Sequence, residues 1–204
     1  MLKLYYAKGT AAMVPHILLE EAGASYETEL LDFSTGAQKE GAYLKLNPKA
    51  RVPALETSEG ILTETPAILA YIAQAFPDAD LAPKSAFGFA QAQAFNSYLS
   101  STVHVNHAHK MRGHRWSDDP AAHESMRAKV ASNMTECAQM IEDHYFRGPW
   151  VLGEHYSICD AYLYVIARWL PGDGVSMDGF QKLVAHSEAM NQRPAVQRIL
   201  PSHS

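Results

Sequence analysis

Leu2-Lys3-Leu4-Tyr5-Tyr6-Ala7-Lys8-Gly9-Thr10-Ala11-Ala12-Met13-Val14-Pro15-His16-Ile17-Leu18-Leu19-Glu20-Glu21-Ala22-Gly23-Ala24-Ser25-Tyr26-Glu27-Thr28-Glu29-Leu30-Leu31 carries strand, helix and strand in one short stretch. Leu2, Leu4 and Tyr6 alternate on one face, as a strand requires. After Gly9-Thr10, the residues Val14, Ile17, Leu18, Glu21 and Ala22 fall at helical spacing, and Gly23 is a usual helix terminator. Pro15 fits if the helix begins just before it, because proline is tolerated in a first turn. Residues 26–31 form the second strand, which completes a βαβ unit.

Working outward, 52–56 and 61–63 read as two further strands around the turn Thr57-Ser58-Glu59-Gly60. Thr65-Pro66 opens a helix reaching to 76, with threonine at the N-cap and proline at the first helical position. The stretch 77–85, with two prolines, three Asp or Lys residues and little apolar content, reads as a linker over 78–85. Beyond it the periodicity is helical over 87–112, 120–146, 158–170 and 178–191, and no strand pattern is convincing. The expected architecture is a small α/β domain over 1–77 and an all-helical domain over 86–204.

The composition narrows the function. Of 204 residues, 47% are hydrophobic and 19% charged, with 17 basic against 22 acidic side chains and a formal net charge of −5. Such a chain buries a core and is not disordered. The acidic balance argues against nucleic acid as a partner, since phosphate contacts need clustered Lys and Arg. No apolar run is long enough to span a membrane. Met1 to Tyr6 is too short, and too polar downstream, for a signal peptide. Cys137 and Cys159 make no disulfide framework or zinc pattern, so a reducing cytoplasm is the expected compartment. His104 and His107 share a helix face, but no carboxylate or cysteine nearby completes a metal set, and no metal is expected. The plain reading of His107, His109 and His114 is a solvated helix end.

Three segments bear on chemistry. At Gly9-Thr10, a hydroxyl lands at a helix start, where unpaired amides and the dipole favour an anion such as a thiolate; the plain alternative is that Thr10 is a cap. In Asn47-Pro48-Lys49-Ala50-Arg51-Val52-Pro53-Ala54-Leu55, a proline directly before a strand calls for a special backbone turn, a cis bond being one form of it. With Val52-Pro53 cis, the Val52 amide and carbonyl would face outward and pair with the extended backbone of a peptide-like ligand. The plain alternative is an edge proline. In Leu62-Thr63-Glu64-Thr65-Pro66, a second helix start suits an α-carboxylate while Glu64 suits an amine, against the alternative of a cap with a solvated glutamate.

In order and spacing these segments resemble cytosolic glutathione transferases, and the bacterial beta class in particular. The resemblance runs through Lys3-Leu4-Tyr5-Tyr6, Gly9, Pro15-His16, 47–55, Leu62-Thr63-Glu64 with Ala67-Ile68 and Tyr71, Ser157-Ile158-Cys159-Asp160-Ala161-Tyr162, Arg168-Trp169 and Gln192-Arg193-Pro194-Ala195-Val196. It implies a thioredoxin-like N-terminal domain that binds glutathione as co-substrate, a C-terminal helical bundle that lines a pocket for a small hydrophobic electrophile, and a homodimer. Arg51, Val52, Pro53, Glu64 and Thr65 would hold glutathione, with Val52 on the cysteinyl backbone and Glu64 and Thr65 on the γ-glutamyl end. Ala11 and Ser101 also match contact positions. Ser157 and Asp160 match the family's N-capping box, a folding role.

One departure matters. Beta-class members carry a cysteine near the glutathione sulfur, and the matching residue here is Ala11; neither Cys137 nor Cys159 replaces it by position. Thiol activation then falls to a hydroxyl, Thr10 first and Tyr6 second. A free thiol of pKa about 8.5 must drop by about 2 pH units, roughly 2.7 kcal/mol, to be mostly ionised at neutral pH. A helix dipole supplies about 0.3–1 kcal/mol and a hydrogen bond to a charge about 1.5–3 kcal/mol. The dipole alone falls short, and one hydroxyl closes the gap. Ser97-Tyr98-Leu99-Ser100-Ser101-Thr102-Val103-His104 matches a beta-class helix that ends in an active-site histidine, which makes His104 a polar contact of the sulfur or electrophile. Thr102 and Val105 stand where the family often has an acid and a lysine, so a less charged pocket is expected. Among the aromatic residues, Tyr98, Trp116, Tyr164 and Trp169 are candidates for pocket walls or for core. The expected activity is conjugation, or glutathione-dependent reduction of a peroxide. The alternatives are a glutathione or hydrophobic-ligand binding protein that has lost catalysis, and a thiol-disulfide reductase, which the lack of Cys-x-x-Cys disfavours.

Overall fold

A computed structural model describes residues 1–203, which divide into two compact units: 1–86 together with the segment from 191 onward, and 87–190. In the first unit, β1 (Leu2–Tyr6) leads through α1 (Met13–Glu21) to β2 (Tyr26–Leu30). The pair is parallel, with Leu2 opposite Tyr26 and Tyr6 opposite Leu30, so a crossover is obligatory and α1 supplies it. Gly23, at φ 60, ends α1 as expected: Ala24 N donates to the Leu19 carbonyl at 3.0 Å in a Schellman closure. Then come α2 (Gly41–Leu46), β3 (Ala54–Thr57), β4 (Gly60–Thr63) and α3 (Thr65–Ala75). The sheet order is β2-β1-β3-β4, with β3 antiparallel to both neighbours, a thioredoxin-like arrangement. Leu4, Ile17, Leu18, Leu55, Ile68, Leu69 and Ile72 are fully buried and join the sheet to α1 and α3.

Several expectations are corrected here. The third strand begins at Ala54 rather than 52, since Pro53 has no N–H to give a ladder. Glu64, not Thr65, is the N-cap of α3: Glu64 holds a non-helical φ of 71, while Thr65 is already helical and buried. A short helical turn at Ala37–Lys39 and α2 itself carry no periodicity long enough to be read in advance.

The second unit contains α4 (Ala86–Tyr98), a π-helical segment over Leu99–Val103, α5 (His104–Arg112), α6 (Pro120–His144), α7 (Ile158–Ala167) and α8 (Gln181–Asn191). The single helix expected over 87–112 is thus interrupted by a π turn, which hydrophobic spacing does not reveal. The helix expected over 158–170 stops at Ala167, and a tight turn follows at Pro171–Asp173. Every residue of α7 is buried. Its capping box forms: Cys159 N donates to Ser157 Oγ at 3.2 Å, and Ser157 N donates to Asp160 Oδ2 at 2.8 Å. Glu142, also buried, accepts Lys182 N and Leu183 N at 2.8 and 3.0 Å, placing a carboxylate at the start of α8.

The chain then returns to the first unit as α9 (Pro194–His203). The sequence reading puts all of 86–204 in one helical domain; the segment from 191 packs instead on α1. Arg193 forms a two-pronged pair with Glu21 at 2.5 and 2.9 Å, and Arg198 Nε lies 2.6 Å from Glu20. Ala195, Val196 and Ile199 are buried on the same helix.

Candidate functional site

Strand register brings the singled-out residues of the first unit to one end of the sheet. Ala54 lies opposite Tyr5 on β1 and opposite Thr63 on β4. One step further along, Tyr6 at the end of β1, Pro53 just before β3 and Glu64 just after β4 therefore share that end. The first turns of α1 and α3 open from it, because α1 follows β1 and α3 follows β4. Two helix N-termini, with their unpaired amides, serve the same place.

The turn from β1 to α1 is held by Thr10. Its Oγ1 donates to the Ala7 carbonyl at 2.7 Å and accepts Ala12 N at 3.3 Å. Thr10 is not the cap of α1; that residue is Ala12, and no side chain caps the helix. The only proton of the Thr10 hydroxyl is given to Ala7 in this rotamer, so a hydrogen bond to a sulfur requires the hydroxyl to turn. Ala11 is buried. The Tyr6 ring is buried against His16 and His203, with centroids 5.6 and 5.0 Å away.

The loop before β3 is fixed by Asn47, which is 1% exposed. Asn47 Nδ2 donates to the Arg51 carbonyl at 2.7 Å, Tyr43 Oη donates to the same carbonyl at 2.6 Å, and Asn47 Oδ1 accepts Lys49 N at 3.2 Å. Burial raises the Tyr43 pKa and keeps that donor protonated. Ala50 sits at φ 53 inside this loop, and the Val52-Pro53 bond is cis. With Glu64 at φ 71, two non-glycine residues in left-handed backbone flank the Val52-Pro53 segment, a strain that proteins retain mostly at binding sites. The Arg51 side chain is exposed and Val52 half-buried; Pro53 and Thr65 are buried. Lys49 Nζ reaches Glu64 Oε1 at 2.5 Å and Thr63 Oγ1 at 2.7 Å.

An N-terminal domain of glutathione S-transferase type matches residues 1–74. The solved structure of a glutathione transferase homolog from Sulfitobacter, with bound glutathione, is 42% identical, covers 99% of this chain and 98% of that one, and superposes with a TM-score of 0.96. This chain belongs to the glutathione S-transferase family. The solved glutathione S-transferase of Xylella fastidiosa is 30% identical over 100% of this chain and 98% of its own, with a TM-score of 0.90. The Escherichia coli O157:H7 protein named Glutathione S-transferase GstA is 28% identical over 98% of this chain and 97% of that protein.

In the helical unit of this transferase, Ser101 lies on the π segment, exposed, and donates to the Ser97 carbonyl at 2.8 Å. His104 opens α5, with its ring 5.0 Å from Trp169. Tyr164 is core, Tyr98 stacks on Tyr145 at 5.4 Å, and Trp116 is exposed beside His109. Both cysteines are buried, and Cys159 donates to the Ala92 carbonyl with its pKa raised by burial. Among the described residues no group of three or more His, Cys, Asp or Glu is placed to hold a metal.

Two features escape the sequence. Asn47 enters its reading only as part of a motif; the signal is an Asn-Pro pair before a tight loop, where a side-chain amide commonly satisfies turn carbonyls. His107 reads as a solvated helix end. Instead its Nδ1 lies 2.6 Å from the carboxylate of Asp173, a residue that nothing in the local sequence marks.

Proposed function

We propose that this chain is a glutathione transferase of bacterial beta type that ionises the glutathione thiol and passes the sulfur to a small hydrophobic electrophile, releasing the displaced group or saturating a double bond. The observation that carries this reading is the shared sheet end where the β1–α1 turn, Val52-Pro53 and Glu64 converge. There, Val52 takes the cysteinyl backbone as an added strand. Arg51 and Pro53 flank it, Glu64 takes the γ-glutamyl amine, and Thr65 with the first turn of α3 takes the α-carboxylate. Lys49, paired with Glu64, holds the Glu64 carboxylate in place until the amine arrives.

Ala11 stands in place of the beta-class cysteine, so the enzyme works by thiolate stabilisation rather than through a mixed disulfide. Thr10 is the activating hydroxyl, turning from Ala7 to the sulfur at the amino end of α1. Tyr6 ranks second because its ring is committed among His16 and His203. Ser101 and His104 serve the electrophile on the helical unit, with Trp169 beside them. Peroxide reduction by the same thiolate is a second activity of this site. The enzyme acts as a homodimer in the cytoplasm; no described helix is long and apolar enough to cross a membrane.

Calorimetry with glutathione, run beside conjugation of chlorodinitrobenzene, tests this. Binding with turnover is expected, and absence of binding overturns the reading. One observation favours the second reading, a binder without catalysis: the Thr10 hydroxyl donates to the Ala7 carbonyl, Oγ1 to O at 2.7 Å. Binding without turnover of any electrophile or peroxide would decide for it.

A further inference from the structure

Arg51 turns its side chain to solvent, yet its carbonyl oxygen takes hydrogen bonds from two buried donors. Tyr43 Oη donates to it at 2.6 Å and Asn47 Nδ2 at 2.7 Å, so both lone pairs of that oxygen are taken. Tyr43 is 4% exposed and is itself held in place. Its ring packs on Tyr5 with centroids 5.6 Å apart, and Tyr5 Oη donates to Glu56 Oε2 at 2.8 Å. Tyr5, Leu31, Tyr43 and Ala54 form one buried cluster, against which the Val52 side chain packs. All of these residues belong to the first unit, so the arrangement is complete within it.

A trans peptide points its C=O and N–H in opposite directions. The Arg51–Val52 bond is trans, and its carbonyl is drawn to Tyr43 and Asn47, so the Val52 N–H points away from them. Among the described residues neither the amide nor the carbonyl of Val52 makes a hydrogen bond. An open backbone donor and acceptor on one half-buried residue offer an extended ligand a strand to pair with. The two inward bonds also act electronically. Each donor on a carbonyl draws density from the nitrogen of the same peptide and strengthens its N–H, by roughly 10–30% per bond. Here both act on the one N–H that is left open.

We propose that Tyr43 is a positioning residue for glutathione: with Asn47 it aims and polarises the Arg51–Val52 peptide, so that the Val52 N–H binds the cysteinyl carbonyl. The inference rests on the transferase reading above. It goes beyond that reading by tracing the strength of this amide to a side chain that acts only through the Arg51 carbonyl. Asn47 has a second task, since its Oδ1 accepts Lys49 N at 3.2 Å and closes the loop. The single phenolic proton of Tyr43 goes to the Arg51 carbonyl alone, which makes Tyr43 the cleaner probe of the effect. Tyr43→Phe keeps the ring against Tyr5 and removes only the hydroxyl. Tyrosine fluorinated on the ring at this position keeps the shape and is the stronger donor.

The test is calorimetry on wild type, on Tyr43→Phe and on protein with fluorotyrosine at position 43 alone. Each is titrated with glutathione and with an analogue in which a methylene replaces the cysteinyl carbonyl. Glutathione affinity is expected to fall about three- to tenfold in Tyr43→Phe, the worth of one neutral hydrogen bond, and to rise above wild type with the fluorinated phenol. Affinity for the methylene analogue should be the same in all three proteins, because the atom that the Val52 N–H would bind is gone. The Val52 amide nitrogen resonance should move upfield in Tyr43→Phe and downfield with the fluorinated phenol, an order that a purely structural role would not produce. Equal losses for both ligands, or unchanged glutathione affinity in Tyr43→Phe, overturn this proposal alone. Wild-type protein that binds no glutathione overturns the transferase reading and this proposal together.

Discussion

His16 Nδ1 lies 2.9 Å from His203 Nε2 in a buried seam that joins α1 to α9. The ring of Tyr6 covers both imidazoles, and Tyr26 meets His16 edge-on at 5.5 Å. Burial pushes the His16 pKa down to about 4, against a small opposing pull from Glu20. An unfolded imidazole takes its proton near pH 6.5. Between these values the unfolded chain holds more protons than the folded one, so acid favours unfolding. Stability should fall steadily as pH drops from about 6.5 toward 4, by up to about 3 kcal/mol. Urea unfolding at several pH values checks this, and His16→Gln should flatten the dependence.

Asn47 sets the loop that presents Val52. Asn47→Ala removes a bond to the Arg51 carbonyl and one from Lys49 N, both on a side chain that is 1% exposed. The expected loss is about 1–3 kcal/mol of stability. Because Tyr43 still holds the Arg51 carbonyl, the protein should fold. Glutathione affinity should drop about tenfold, the equivalent of about 1.4 kcal/mol. Calorimetry showing unchanged affinity would separate the loop from the ligand.

Thr10→Ser should retain conjugating activity and Thr10→Ala should lose about 10- to 100-fold, the value of one hydrogen bond to a thiolate. Tyr6→Phe should cost less, since the ring packing is kept. Absorbance of bound thiolate as a function of pH reads the effect directly. Equal rates in both single variants and wild type would assign activation to the α1 amides alone.

Asp160 is fully buried and accepts Val151 N at 2.8 Å, Ser157 N at 2.8 Å and a contact from His186 Nε2 at 3.2 Å. Asp160→Ala strands these donors and should cost about 3–5 kcal/mol. Ser157→Ala, which loses the cap bond from Cys159 N and the Ser157 Oγ bond to Asp160, should cost about 1–2 kcal/mol. Denaturant midpoints rank the two.

Much of this is legible in the chain wherever the signal is local. β1, α1 and its stop at Gly23 follow from alternation, helical spacing and one residue able to take φ 60. The proline before β3 points to the special turn, and Ser157-x-x-Asp160 announces a capping box within four residues. The cap of α3 is displaced by one residue because Glu64, not Thr65, absorbs the non-helical backbone. Residues 192–196 enter the sequence reading only through the family resemblance, and nothing local says that a helix opens at Pro194 and returns to α1.

The sequence by itself determined the βαβ frame, the helical character of 86–167 apart from its turns, and the three segments that converge on the candidate site. All of these depend on residues within a few positions of one another, where backbone preference and side-chain period decide the outcome. The tertiary structure alone decided the partners of His16 and His107 and the return of α9 onto α1. His16 and His203 are 187 positions apart, and His107 and Asp173 are 66 apart. A hydrogen bond over such a separation forms only after packing has brought two segments together, and the pattern of either segment carries no trace of the other.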